Sequence, residues 1–277
     1  MALNSVHTNT AALVALQGLN RTNTELLDVQ GRVNSGFRIA KAKDDGAAFS
    51  IAQGLRADRR GYEAISEQLS KAVGTMSVAN EAARQISDTL ADVRAVITKL
   101  ADENVSGDQR TQYHGDYVNL KAEILRYITN ADFNGVNMLD NTAGIDIIST
   151  LEGGIMTMRS FDLDTNVHDV LPTITAGDAA TVAQASLTAT GGLSNAEANL
   201  GTAMSTLGSD TKSLENHLNY VGILGDATEE GIGAIVDADL AKESARLQAL
   251  QVRQQLGTQT LSIANQAPQI LLTLFRS

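Results

Sequence analysis

Stepped by alternating threes and fours, residues 62–100 are apolar at Tyr62, Ile65, Leu69, Ala72, Met76, Ala79, Ala83, Ile86, Leu90, Val93, Ile97 and Leu100 without a miss. That unbroken a/d series predicts one continuous helix with a narrow apolar seam. No Pro interrupts it and Gly74 is its one strong breaker. At about 1.5 Å per residue it is roughly 60 Å long. A helix of that length needs partner helices along it. The rod of an ordinary helical bundle would carry the same pattern.

Other stretches supply partners. Ala12, Leu16, Leu19, Asn23, Leu26, Gln30, Val33 and Phe37 draw a weaker seam near the start. Asn23 and Gln30 on it either fix register through buried hydrogen bonds or are solvated. Asn34-Ser35-Gly36 and Asp44-Asp45-Gly46 then read as turns, with Arg38, Lys41 and Lys43 beside the aspartates. A short helix is expected over 47–55, ahead of the long one. After a turn at Asn104–Gly107, the residues Tyr113, Tyr117, Leu120, Ile124 and Tyr127 predict a second helix folding back antiparallel, its tyrosines lining a core. From Phe133 the period changes to β-like runs, read as a hairpin over about 134–163. Residues 164–190 read as loop with room for a short helix. A third heptad stretch runs through Leu193, Ala196, Leu200, Ala203, Leu207, Leu214, Val221 and Leu224, with Asp210 and His217 as its polar members. Gly222, Gly225, Gly231 and Gly233 are expected to loosen the chain after it. Asp237-Ala238-Asp239 signals a last helix, with Leu240, Leu247, Leu250, Leu261, Ala264 and Leu271 on one face.

Composition narrows the function classes. A 277-residue chain that is 43% hydrophobic is not compositionally disordered. Few aromatics, no Trp and two Pro suit long helices. A net charge of −11 argues against nucleic-acid binding. The absence of cysteine excludes a disulfide framework and thiol chemistry, and fits export without oxidative folding. No cleavable signal sequence and no 18-residue apolar run are visible. Two acidic stretches approach calcium-loop spacing, but Ile145 and Leu151 in one, and Val167 and Thr173 in the other, occupy positions that need glycine and glutamate. No nucleophile elbow or phosphate-cradling loop is present, so neither a cofactor nor catalysis is expected.

The ends carry the sharpest signal. Residues 1–20 and 254–275 contain no Asp, Glu, Lys or Arg, where the chain average of 19% predicts about 8. Gln254, Gln255, Gln259, Asn265, Gln266 and Gln269 are too polar for a bilayer core. Uncharged helices of this kind suit burial against other protein on all sides, and other copies of the same chain are the natural surround.

Several motifs, in order, resemble those of the bacterial flagellins. Asn4-Ser5-Val6-His7-Thr8-Asn9 is similar to that family's opening segment. Ser35-Gly36-Phe37-Arg38-Ile39 followed by Ala42-Lys43-Asp44-Asp45 resembles its Ser-Gly-x-Arg-Ile…Ala-Lys-Asp-Asp signature, although Gly46-Ala47-Ala48 departs from the usual order. Phe133-Asn134-Gly135 with Leu139, and at the back Asp237-Ala238-Asp239, Gln254-Gln255, Ala264-Asn265-Gln266 and Pro268-Gln269, complete the match. The resemblance implies a mainly α fold: a long antiparallel coiled coil or helical bundle with a small β-hairpin and paired N- and C-terminal helices. It implies an inner-tube domain of residues 1–44 plus 238–277 and a helical rod domain of 45–237, in a short form without large outer domains.

The implied function is a subunit that self-assembles into the extracellular flagellar filament. The partners so implied are many copies of itself, the export apparatus and a chaperone, and the filament cap and hook-junction proteins, with no nucleic acid and no membrane insertion. Candidate self-assembly residues are Leu13, Leu16, Leu19, Leu26, Arg38, Asp44, Asp45, Leu247, Leu250, Leu261, Ala264, Asn265 and Leu271. A hook–filament junction protein and a secreted coiled-coil effector or translocator are the alternatives. The continuous helix and the Arg38–Asp45 signature favour flagellin. The resemblance also matches Ala91–Val96 to the segment that the family's sensing receptor contacts, of the form Gln-Arg-Val-Arg-Glu-Leu. Only Val93 and Arg94 are unchanged there.

Overall fold

The computed structural model describes the backbone of residues 8–175 and 179–274 and the side chains of 8–175 and 180–266; Leu271 and the Asn4–His7 part of the opening motif fall outside the described side chains. In order come α1 (Thr10–Ser35), α2 (Gly46–Leu100), α3 (Gly107–Thr129), the strand pairs β1 (Asp132–Phe133) with β2 (Val136–Asn137) and β3 (Ile145–Ile148) with β4 (Ile155–Met158), a π-helical turn (Asp164–His168), α4 (Ala179–Ser186), α5 (Gly192–Val236) and α6 (Leu240–Leu274). Both sheets are two-stranded and antiparallel. The fold is therefore the mainly α one expected.

Local chemistry sets the helix limits. Asn9 caps α1 by accepting from the Ala12 amide at 3.0 Å, and Gly36, at φ 75°, ends it in the left-handed conformation that glycine adopts without strain. Asp45 caps α2 through the Ala47 and Ala48 amides, both 3.1 Å away. Ser106 and Gln109 form a capping box on α3. Asp239 caps α6 through the Lys242 amide at 3.0 Å.

The chain forms two compact units: residues 58–226, and residues 1–57 together with 227–277. The divisions lie near 57 and 226, whereas the expected ones were at 44 and 237. The reason is that α2 and α5 each contribute to both units. The expected 47–55 helix is simply the beginning of α2, and α5 runs unbroken through Gly222, Gly225, Gly231 and Gly233. Each glycine costs about 0.5–1 kcal/mol in a helix interior. In the second unit that cost is met by burial of Ile232 and Val236 with Ile39 and Ala52.

Within residues 58–226, eleven of the twelve predicted seam positions of α2 are buried and Tyr62 is half-buried. They pack with Leu193, Ala196, Leu200, Ala203, Leu207, Leu214 and Val221 of α5 and with Tyr117, Ile124 and Ile128 of α3. Tyr113 and Tyr127 pack at the edge of this core, as expected of core-lining tyrosines. The predicted 134–163 hairpin resolves into two. Asn134 (φ 56°) and Gly135 (φ 79°) close β1–β2 in the paired left-handed conformation that an Asn-Gly step favours. The larger β3–β4 hairpin sits on the two polar seam positions of α5. Asp210 accepts from the Arg159 amide (3.2 Å), Nε (3.2 Å) and Nη2 (2.7 Å). His217 Nε2 lies 2.8 Å from the Ser149 carbonyl oxygen. Along α3, His114 Nε2 meets the Ile174 carbonyl at 2.8 Å, while the Tyr117 hydroxyl and Lys121 Nζ donate to the Pro172 and Leu171 carbonyls at 2.5 and 3.1 Å. These contacts fasten the irregular chain after the π-turn.

Candidate functional site

The unit made from the chain's two ends is built on α1 and α6, which pack against each other. The sequence places Glu243, Leu247, Leu250, Gln254, Gly257, Leu261 and Ala264 at strict four-three spacing, and these positions of α6 are buried or half-buried. On α1 the covered positions are Ala12, Ala15, Leu19, Thr22, Asn23, Glu25, Leu26, Val29, Gln30, Arg32 and Val33. The packed face keeps Ala12, Leu19, Asn23, Leu26, Gln30 and Val33 of the predicted seam and adds Thr22 and Val29, while Leu16 is exposed and Phe37 lies beyond the end of α1. Thr22 enters it because its hydroxyl donates to the Gly18 carbonyl at 3.0 Å, so no polar group is orphaned.

Leu26, Val29 and Leu250 form the apolar centre, with Leu247 and Val33 against it. Leu19 lies against Gly257, where an added Cβ would come within 3.2 Å of Leu19 Cδ1. Polar contacts flank the centre. Gln254 Nε2 donates to Asn23 Oδ1 at 2.8 Å, Asn9 Nδ2 donates to the Ala264 carbonyl at 2.8 Å, and Arg32 Nη1 lies 3.7 Å from Glu243 Oε1. Asn23 therefore takes the hydrogen-bonding alternative left open for it.

In the signature between α1 and α2, Arg38, Asp44 and Asp45 each make a specific contact. Arg38 Nη2 donates to the Ile235 carbonyl at 2.6 Å, and the Arg38 and Ile39 amides donate to the Val236 carbonyl at 2.7 and 3.2 Å. A cation and two donors thus close the carbonyl end of α5. Asp44 Oδ2 accepts from the Ala40 and Lys41 amides at 3.1 and 3.0 Å and holds the turn. Arg38 and Asp44, six residues apart, serve different partners. Phe37 bridges to Asp237, and the Arg56 guanidinium stands 5.7 Å from its ring centroid.

Of the proposed assembly residues, Leu26 and Leu250 are buried in the pair, and Leu19, Leu247, Leu261 and Ala264 are half-buried in it. Leu13 and Leu16 are 59% and 42% exposed. They line, with Leu261 and Asn265, a cleft of about 400 Å³ at one end of the pair. Leu240, expected on the packed face, is 50% exposed because the seam starts at Glu243 instead. The residues that hydropathy alone did not mark are Glu243, Gln254 and Gly257; counting back and forward from Leu247 and Leu250 in fours and threes finds them. Outside the packed face, Val14, Leu27, Val252, Leu256 and Ile263 stand 55–70% exposed on two otherwise uncharged or weakly charged stripes.

In residues 58–226, Asp164, His168 and Asp169 bring one ligand-type atom each within 4.8 Å. His168 Nδ1 lies 3.0 Å from an oxygen of each carboxylate, and its hydrogen bond goes to Asp169 Oδ1. Asp162, in the stretch with calcium-loop spacing, is held well below the usual carboxylate range, chiefly by the Thr165 amide that donates to it at 2.9 Å.

The helical ends match known families directly. Residues 6–144 match the bacterial flagellin N-terminal helical region and residues 187–275 the bacterial flagellin C-terminal helical region. This chain belongs to the bacterial flagellin family. Flagellin FljM of Caulobacter vibrioides is 37% identical over 277 residues, covering all of both chains. A flagellin of Brucella melitensis is 32% identical over 286 residues, covering 98% of this chain and 99% of its own. The crystal structure of Bacillus cereus flagellin overlaps 65% of this chain and 94% of its own, with a TM-score of 0.36 and 19% identity. As a flagellin, the protein is a structural subunit of the flagellar filament rather than an enzyme, and its filament is a polymer of copies of itself. At 277 residues it is a short flagellin without large outer domains. Among the described residues no helix is long and apolar enough to cross a membrane.

Proposed function

We propose that the α1–α6 pair is the element through which copies of this flagellin join, with Leu13, Leu16, Val252, Leu256 and Ile263 meeting neighbouring copies. The observation that carries this reading is the combination of charge-free ends with apolar side chains left outside the pair's own seam. Burying each such side chain is worth about 1.5–3 kcal/mol, which a lone pair of helices forgoes and a polymer recovers. The remaining candidates divide by role: Leu19, Leu26, Leu247, Leu250, Leu261 and Ala264 hold the two helices together, and Arg38, Asp44 and Asp45 fix the turn. Leu271 and Asn265 belong to the stretch that contacts other copies.

The same reading has the subunit passed unfolded through the flagellar export apparatus, its last helix held by a chaperone. It is then added beneath the filament cap, on top of the hook-junction proteins, outside the cell. Helices whose outer stretches carry no charge and gain a full surround only in the polymer are suited to staying unfolded until delivery. Deleting residues 254–277 tests the assignment. The truncated protein is expected to keep a folded, soluble 58–226 unit and to form no filaments by sedimentation and negative-stain microscopy. Normal filaments from it would refute the assembly role of the ends.

A further inference from the structure

We infer that the polar pairs Asn23–Gln254 and Arg32–Glu243 are the specificity-determining residues that set the register in which the first and last helices join. The apolar part of this interface does not set it alone. A slip of seven residues still leaves Leu250 against an apolar side chain, Leu19 in one direction and Val33 in the other, so its burial alone does not choose the register. The polar pairs break that degeneracy. Along α1 they ascend as their partners descend on α6: Asn23 with Gln254 at 2.8 Å, then Arg32 with Glu243 at 3.7 Å. Outside the seam, Arg253 Nη1 lies 3.9 Å from Glu25 Oε2 in the same alignment.

A slip in one direction sets Asn23 against Leu247 and Gln254 against Leu16, and brings Glu243 level with Glu25. A slip in the other sets Asn23 against Leu261 and carries Glu243 past Ser35, where α1 ends. In the second case Gln254 meets Gln30 while Arg32 comes level with Leu250, so Asn23, Arg32 and Glu243 lose their partners. Glu243 is the strictest of the four. It is 8% exposed and its Oε2 accepts no hydrogen bond among the described residues. A carboxylate so placed is tolerated only with a cation nearby, and Arg32 is that cation. Buried polar groups that fit one alignment and are orphaned in the others specify register at a cost in stability.

The absence of cysteine makes register directly readable. One cysteine is placed at position 250 (Leu250→Cys) and a second at Leu26, Leu19 or Val33, one heptad apart. Leu26→Cys reports the observed register and the other two report slips. Each double-cysteine protein is co-assembled with a large excess of the cysteine-free parent, so that only crosslinks within one chain form, and is read on non-reducing gels. Sedimentation is scored separately, so failure of assembly and failure of alignment are distinguishable; where no filament forms, the same crosslinks are read on the concentrated protein.

In the parent the slipped crosslinks should reach at most about a tenth of the aligned one, as expected when polar groups lose their partners. Replacing all four residues by leucine (Asn23→Leu, Arg32→Leu, Glu243→Leu, Gln254→Leu) should raise a slipped crosslink at least threefold. Exchanging the pairs (Asn23→Gln with Gln254→Asn, Arg32→Glu with Glu243→Arg) should keep the aligned crosslink alone. Unchanged alignment in the leucine variant would overturn the inference. So would loss of every crosslink in it, which would mean that the pairs bind the helices rather than align them. Slipped crosslinks in the exchanged variant would overturn it as well.

Discussion

Leu90→Ala strikes the seam of α2 where it is closed on all sides. Leu90 is 1% exposed and its seam neighbours Ile86 and Val93 are fully buried. The substitution removes three carbons from contact, worth about 2.4 kcal/mol at about 0.8 kcal/mol per buried carbon. The void left adds a cavity cost that depends on how far the helices can close around it. The α2–α5 contact holds them apart with large residues at Ile97, Leu200 and Leu207, all at most 2% exposed. Little closure is available, and the total should reach about 3–4 kcal/mol, within the range seen for buried leucines. Ile97→Ala, at a fully buried position, should cost a similar amount. Val118→Ala on α3, where the side chain is 49% exposed, should stay within about 0.5 kcal/mol. Urea unfolding followed by helical circular dichroism gives all three on one scale. Equal midpoints for Leu90→Ala and Val118→Ala would refute the assignment of this seam as the core of the 58–226 unit.

Asp210 supplies a pH signature. Burial alone would raise its pKa, but the Arg159 side-chain and backbone hydrogen bonds and the Arg159 charge outweigh that, and the group sits below the usual carboxylate range. Its stabilising share is present above the unfolded-state pKa, near 3.9, and is lost as pH falls through the lower folded-state value. Arg159→Met should therefore loosen the β3–β4 hairpin at pH 7 and make less difference as pH drops below about 4; hydrogen exchange over 145–158 that is equally fast at both pH values in the variant and parent would contradict this. Hydrogen exchange on dilute protein should find residues 8–35 and 240–266 poorly protected and 62–100 slow, and filaments should protect all three; strong protection of the ends in dilute protein would show that they fold without neighbours. Receptor sensing through Ala91–Val96 should be weak, because Val93 is fully buried and Arg94 is already held by Glu197, with Nε 2.8 Å from Oε1; a reporter-cell potency equal to that of a strongly sensed flagellin would refute it.

Much of this fold was legible because its long helices bury a strict seam. The α2 positions could be read one by one, since each faces a partner helix and apolar residues have no other reason to recur in threes and fours. What hid from pattern reading had other physical causes. The run of α5 through Gly231 and Gly233 goes with burial of Ile232 and Val236 against Ile39 and Ala52, nearly two hundred positions away, and local propensity cannot see that. The true face of α1 includes Thr22, which hydropathy scores as polar although its hydroxyl is satisfied within the helix. Glu243 is hidden for the same reason, since a carboxylate on a seam makes sense only with Arg32 opposite. The roles of Asp210 and His217 were missed because their partners, Arg159 and Ser149, lie in a hairpin whose docking site no spacing rule encodes. The signature Arg38…Asp44-Asp45 was visible as a motif, but its meaning as one cap for α5, one turn clasp and one cap for α2 came only from the partners.

The hydrogen bond from Asn9 to the carbonyl of Ala264 joins positions 255 residues apart, and it orders events in time. The 58–226 unit is a single uninterrupted stretch of chain, whereas the other unit is drawn from both extremities. A chain delivered from either end has the whole of the first unit present before both parts of the second are. The earliest residues thus wait for the latest ones, and the arrival of the last helix decides when the molecule is finished.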